Sequence, residues 1–172
     1  MDWALRPVGA EDEPFLMRVY AGTRADELAV TKWDEVTRDA FIRMQYSAQA
    51  RHYGAHWPDA EHAVVTVRQD GVALDVGRLW LDRRADAVHV LDISILPEWR
   101  SQGLGRRVLQ HLMDEAKATS RTLTIYVEVG NTARHLYDRL GFQPDGQPDG
   151  VHQFMHWRPV TTEVMETCNE QA

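Results

Sequence analysis

The sequence predicts an α/β (α+β) domain, with a mixed, mostly antiparallel central sheet flanked by helices. Three observations carry that expectation. Three β-rich runs, at 63–68, 72–82 and from Val88 onward, are joined by tight turns at Asp70-Gly71 and 83–86, which reads as an antiparallel meander. The third run feeds a loop, two glycines and a helical pattern, and then a further apolar run at 123–129. A strand–helix–strand unit of this kind sets its two strands parallel, through a right-handed crossover. The length, 172 residues, suits one domain with a full core.

In chain order, residues 3–8 predict a first strand that stops near Pro7. Residues 12–20 predict a helix, because Phe15, Leu16, Val19 and Tyr20 share a face and acidic side chains stand at its start. Residues 25–30 form a short turn. Residues 34–57 predict a long helix with two adjoining stripes: Phe41, Met44, Ala48, Arg51 and Ala55, and beside them Ile42, Tyr46, Ala50, Tyr53 and Trp57. Pro58 forces that helix to stop. Behind the meander, Leu104, Val108, Leu109, Leu112, Met113 and Ala116 recur at helical spacing, to about Thr119. Residues 123–129 are apolar and of strong β propensity. Asn131 caps a last helix, which buries Ala133, Leu136, Tyr137 and Leu140 and ends at Gly141. Phe142 begins a short strand, 143–150 is a loop, and 151–157 alternates as a final strand. The domain is expected over 1–160, with a polar, frayed tail over 161–172.

The stretch from Val88 to about residue 118 carries the chemistry. A helix start leaves about four N–H groups without intrahelical partners and a partial positive charge. Gly103 and Gly105 let a bulky anion approach the backbone, and Arg100, Arg106 and Arg107 surround the turn. Together these point to a phosphate-bearing ligand. A P-loop is excluded, because no Gly-Lys-Ser/Thr follows. A dinucleotide (NAD) site is the rival, since Glu128 stands near the end of the next strand. Against it, seven residues separate Ile95 from Gly103, and Val108 occupies the third glycine position.

Arg100-x-x-Gly103-x-Gly105, after a strand ending Ile95-Leu96-Pro97, resembles the acetyl-CoA signature of the GNAT (GCN5-related) N-acetyltransferases. The block from Asn131 to Phe142, with Tyr137 and a closing Leu140-Gly141-Phe142, resembles the family's later block. The two cover about residues 88–143, in the expected order and at the expected distance; the N-terminal half matches in element order only.

The resemblance implies that the fourth and fifth strands splay apart and that acetyl-CoA, as cosubstrate, lies between them. Backbone groups near Ile93 and Ile95 would pair with its pantetheine amides. The pyrophosphate would meet the loop and helix start, from Arg100, Ser101 and Gln102 through Gly103, Leu104 and Gly105 to Arg106. Asn131 either hydrogen-bonds the cofactor arm or simply caps its helix. Tyr137 would be the general acid for the leaving thiolate: a phenol of pKa ~10 can protonate a thiolate whose conjugate acid has pKa ~8.5. The base is open between His89, Asp92 and ordered water. His89 has the parity of Leu91, Ile93 and Ile95, a match that a strand bulge would spoil. The early helices would line the acceptor pocket, so the aromatic stripe of the long helix either touches substrate or packs in the core.

Composition bounds the partners. A net charge of −7 argues against nucleic-acid and membrane-surface binding and allows a small-molecule or peptide amine. One cysteine, Cys168, permits no internal disulfide, suits a reducing cytoplasm, and leaves direct transfer as the expected route. No apolar run spans a membrane. No metal is expected: His52/His56 and His152/His156 lack further ligands and read as surface histidines. A homodimer is a further option for so small a domain. The expected activity is N-acetylation of a primary amine; the competing reading is a non-catalytic acyl-CoA-binding regulatory module.

Overall fold

Alternating apolar residues build one sheet, and helical stripes cover it. The structure is a computed structural model that describes residues 2–160; the expected tail and Cys168 lie outside the described residues. The strands are β1 (Asp2–Pro7), β2 (Glu61–Gln69), β3 (Val72–Arg83), β4 (Ala87–Ile95), β5 (Thr122–Glu128), β6 (Gln143–Pro144) and β7 (His152–Trp157). The helices are α1 (Glu13–Thr23), α2 (Ala25–Ala29), α3 (Glu35–His56), α4 (Leu104–Ala118) and α5 (Arg134–Arg139). The seven strands lie in the order β1-β2-β3-β4-β5-β7-β6, and among the pairs only β4 and β5 are parallel.

The parallel pair is short. It runs from Ala87↔Thr122 to Val90↔Ile125 and stops, although β4 continues to Ile95 and β5 to Glu128. Beyond Val90 the two strands part, so the expected splay is present. A register shift beside Trp80 and Leu81 leaves Leu91 as an extra residue in β4. Such a bulge reverses the parity of everything beyond it. Val88, Val90, Ile93 and Ile95 therefore all turn toward the main core. His89, Asp92 and Ser94 turn to the opposite face, so the expected match of His89 with Ile93 and Ile95 does not hold.

The α4 stripe expected from the sequence is buried in full: Leu104, Val108, Leu109, Leu112, Met113 and Ala116 pack on Val88, Val90, Leu123, Ile125 and Met155. Each fully buried aliphatic side chain contributes about 1.5–3 kcal/mol before entropy is counted. On the other face α1 and α3 form a second cluster of Leu16, Tyr20, Ile42 and Tyr46. They cover the β3 side of the sheet and leave the region of β5 and β7 open.

Local departures from expectation have local causes. The first helix starts with a 3-10 turn at Ala10–Asp12, where the buried Asp12 accepts from Gly9 N and pairs with Arg6 at 2.7 Å. Residues expected as a turn form α2. Asp34 caps α3 by accepting from Thr37 N at 2.8 Å. Of the two α3 stripes only the second is buried; Met44, in the first, is 58% exposed. Asn131 Oδ1 accepts from Ala133 N, so a turn precedes α5, which is correspondingly short.

Candidate active site

The gap between β4 and β5 is bounded at one end by a run of unused donors. Pro97–Trp99 makes a 3-10 turn, Arg100 is extended, and Ser101 and Gly103 have φ of 60° and 79°. The first intrahelical bond of α4 is Arg107 N→Gly103 O, and no side chain caps the helix. The N–H groups of residues 101 to 106 thus donate to no acceptor among the described residues. A Cβ placed on Gly103 would meet nothing within 4 Å, so this glycine leaves open space in front of the donors. Six N–H groups at the positive end of a helix are an arrangement that could hold an anion. Leu104 contributes only its backbone, since its side chain is in the core. Arg106 is exposed on the first helical turn.

Arg100 is spent differently from expectation. Its Nε donates to Ile95 O at 2.8 Å and its Nη2 to Gly22 O at 2.9 Å. It staples the loop to the end of α1 and shapes the donor run without aiming its charge at it. Gly22 permits that contact, because a Cβ there would stand 2.9 Å from Pro97 Cδ. Ile93 lies on the stretch of β4 that pairs with no strand on the β5 side; Ile95 shares that stretch, but its carbonyl is taken by Arg100.

Tyr137 approaches from the α4 face. It is 5% exposed, its ring lies 5.7 Å from Phe142, and its hydroxyl bonds to no described residue. Burial, followed by the nearby Asp92 charge, pushes the phenol well above its ordinary range. The proton is therefore held firmly through neutral pH. Asn131 turns its Oδ1 to its own turn.

The opposite face holds His89. Its Nδ1 lies 2.7 Å from Thr124 Oγ1, and the rings of Trp57, Tyr126 and Phe154 surround it at 5.6–6.4 Å. Burial, then Arg84, lowers its pKa, so the imidazole is neutral at neutral pH. The structure does not bring His89 and Tyr137 to the same side of the sheet. They flank it from opposite faces, beside the point where pairing stops.

Asp92, the alternative base, is committed elsewhere. The guanidinium of Arg78 donates to it at 2.6 Å, and Ser94 Oγ bonds both its oxygens. Arg78 is 0% exposed, also donates to Gln49 at 2.7 Å, and lies over the rings of Tyr20 and Tyr46. Tyr53 OH donates to Leu91 O, the carbonyl of the bulge, at 3.0 Å. Sequence reading did not mark Arg78, although a charged residue within Val76-Gly77-Arg78-Leu79-Trp80-Leu81 was the available signal. Nor did it mark Thr124, Tyr126 or Phe154, which only the folded sheet brings together. His156, read as a surface histidine, has a buried Nδ1 without a hydrogen-bond partner.

The comparisons agree with this geometry. The family model described as "Acetyltransferase (GNAT) family" matches residues 29–142. A 5-NmdU N-acetyltransferase of Pseudomonas phage PaMx11 is 28% identical over 134 residues, 76% of this chain and 89% of that protein. The ribosomal protein bS18-alanine N-acetyltransferase of Escherichia coli K12 is 41% identical over 59 residues, covering 33% of this chain and 40% of that one. Among solved structures, the PaiA N-acetyltransferase of Thermoplasma acidophilum in complex with coenzyme A superposes with a TM-score of 0.65 at 19% identity, over 92% of this chain and all of the other. The spermidine N-acetyltransferase of Vibrio cholerae, in complex with CoA and spermine, gives 0.59 at 17% identity, over 90% and 92% of the two chains. The chain belongs to the GNAT acetyltransferase family.

Proposed function

We propose that this GNAT acetyltransferase uses acetyl-CoA as donor and acetylates a primary amine by direct transfer. One observation carries the reading: the unused N–H groups of residues 101 to 106 open onto the gap left where β4 and β5 stop pairing. That arrangement fits a diphosphate continued by an extended amide-bearing arm. Ser101 through Arg106 would hold the diphosphate, and the unpaired edge of β4 near Ile93 would meet the arm. When bound, acetyl-CoA supplies an activated acyl thioester.

The remaining chemistry belongs to the chain. His89 is neutral, and with Nδ1–H donating to Thr124 its Nε2 keeps a lone pair to take a proton from the substrate ammonium, which leaves a neutral amine to attack. Tyr137 keeps its proton for the departing thiolate. Asp92, held by Arg78, supports Tyr137 through its field and does not act as the base. The named relatives act on different acceptors, 5-NmdU in one case and an alanine of ribosomal protein bS18 in another. The acceptor therefore follows from side chains outside the signature. The single cysteine in the sequence is compatible with a reducing, cytoplasmic setting. No helix among the described residues is long and apolar enough to cross a membrane.

Calorimetric titration with acetyl-CoA, CoA and NAD tests the reading. Acetyl-CoA and CoA should bind and NAD should not. Gly103→Glu should weaken binding by about 100-fold or more, because it fills the donor cradle with a like charge on a left-handed backbone. NAD binding without acetyl-CoA binding overturns the proposal. Acetyl-CoA binding without transfer to any amine returns the chain to a regulatory module.

A further inference from the structure

A cavity of about 420 Å³ opens on the part of the sheet that α1 and α3 leave uncovered, within the range of small-molecule sites. His89 and Thr124 belong to its floor, and Trp57, Tyr126 and Phe154 to its walls. The ring contacts are close: Tyr126 and Phe154 lie 4.9 Å apart, and Trp57 faces His89 at 6.2 Å with 35° between planes. Tyr126 is nevertheless 52% exposed, although it lies beside the rings of His89 and Phe154. The cavity follows β5 from Tyr126 back to Thr122, four residues or about 13 Å. Its upper end reaches the point where β4 and β5 part.

The charges do not select a polycation. The lining carries Arg84 and Arg158 against Asp86 and Asp145, and Arg84 is already paired with Asp82 at 2.6 Å. An aliphatic polyamine would need an excess of carboxylates along its length. This cavity instead offers ring faces and edges, with the imidazole of His156 beside the Asp145 carboxylate at 3.9 Å on its polar side.

We propose that this cavity is the acceptor pocket, and that it takes a primary amine joined by a short chain to a flat aromatic or heteroaromatic ring. The ring lies against Trp57, Tyr126 and Phe154, and the amine reaches His89 at the splayed end. The proposal rests on the amine-acetyltransferase reading above and names its substrate class.

The test uses the full chain with acetyl-CoA and follows released thiol with phenethylamine, butylamine and spermidine. Ring–ring contacts are worth about 0.5–1.5 kcal/mol each, or roughly 2- to 12-fold. Phenethylamine should therefore exceed butylamine in kcat/KM by about 10-fold or more. Tyr126→Ala, at an exposed position that tolerates truncation, should remove most of that preference through KM, and Trp57→Ala should do the same. Acetyl-CoA affinity, read by calorimetry, should not change in either variant. Ligand-observed NMR should show the phenethylamine ring in contact with the CoA-loaded protein, and the signal should fall in both variants. If acetyl-CoA binds but butylamine or spermidine is used as well as phenethylamine, or the variants slow all amines equally, the aromatic class is wrong and the transferase reading stands. If acetyl-CoA does not bind, the transferase reading fails and this proposal fails with it.

Discussion

The two faces of the sheet solve different problems with different parts of the chain. The α4 face is apolar and continuous, from Val88 and Val90 to Leu112 and Phe142, and its candidate binding groups are backbone N–H donors at residues 101 to 106. The opposite face is built from polar and aromatic side chains: Arg78 on Asp92, Tyr53 on the bulge carbonyl, His62 stacked on Trp80, and the rings about His89. A backbone site needs glycines and a helix start at fixed spacing, so it leaves a local motif. A side-chain site is assembled from β3, β4, β5, β7 and α3, and it can change its ligand without disturbing the motif. In the proposed reading one face holds the donor and the other selects the acceptor.

That contrast can be broken most strongly at Arg78. Its charge is wholly inside the protein, and one of its nitrogens, Nη1, already lacks a partner. Asp92→Ala should cost about 3–5 kcal/mol of stability by leaving the cation buried and unpaired. The double variant Arg78→Met, Asp92→Leu should recover most of that loss in urea unfolding, because an apolar pair needs no solvation. If the double variant is as unstable as the single one, the pair does more than balance its own charge. On the α4 face Leu109→Ala should cost about 2–5 kcal/mol by leaving a cavity, and no second substitution of charge type will rescue it.

Catalysis separates the faces next. Tyr137→Phe should lower kcat by about 100-fold, the lower range for a lost general acid, with little change in acetyl-CoA affinity. An unchanged kcat would leave Tyr137 as a core residue. His89→Gln should also cost about 100-fold in kcat and flatten the acid limb of the pH–rate profile. Besides burial, the groups acting on this imidazole are Arg84 from the turn after β3, Asp82 from β3 and Thr124 from β5; Asp86 from the turn before β4 and Asp145, His156 and Arg158 around β7 line the same cavity. Because burial and Arg84 lower the imidazole, the wild-type limb lies below the ordinary value of ~6.5, and Arg84→Gln should move it upward.

How much was legible follows the same division. The α4 stripe, the glycine turn and the parallel pair were readable because each rests on local spacing or on a short-range crossover; the splay of that pair came only with the family resemblance. The parity of His89 was not, because the extra residue at Leu91 appears only when β4 is laid against β3. The exposure of Met44 was not, because two α3 stripes of similar apolarity compete, and the one facing Tyr20 and Arg78 is buried. The side-chain role of Arg100 was masked by its charge. Near two glycines it suggested phosphate, whereas carbonyls of Ile95 and Gly22, remote in sequence from each other, take its donors. The ring cluster around His89 joins residues nearly a hundred positions apart, which no periodicity reveals.

The smallest effect concerns His62, which tests whether the polar face limits stability. Its ring stacks on Trp80 at 4.0 Å with 4° between planes, and its Nε2 is buried without a hydrogen-bond partner. Burial, then the charge of Arg78, brings its pKa down to about 4. The folded protein thus holds a neutral imidazole that the unfolded chain protonates near ~6.5. The unfolded state binds more protons between those values, so stability is complete above pH ~6.5 and is lost as pH falls toward 4. The ring is partly open to solvent, so screening reduces the effect to about 1 kcal/mol, or roughly 0.5 M in urea midpoint. Trp80 fluorescence reports the transition directly, since the two rings are in contact. In His62→Phe, which keeps the stack and cannot take a proton, this part of the pH dependence should vanish while the midpoint at pH 8 changes little. If the variant loses stability between pH 6.5 and 4 as steeply as the wild type, His62 is not the source of this acid sensitivity, and neither is the Arg6–Asp12 pair. That pair weakens only when Asp12, held near pKa 2 by Arg6, gains a proton, so its signature is a loss confined to much lower pH.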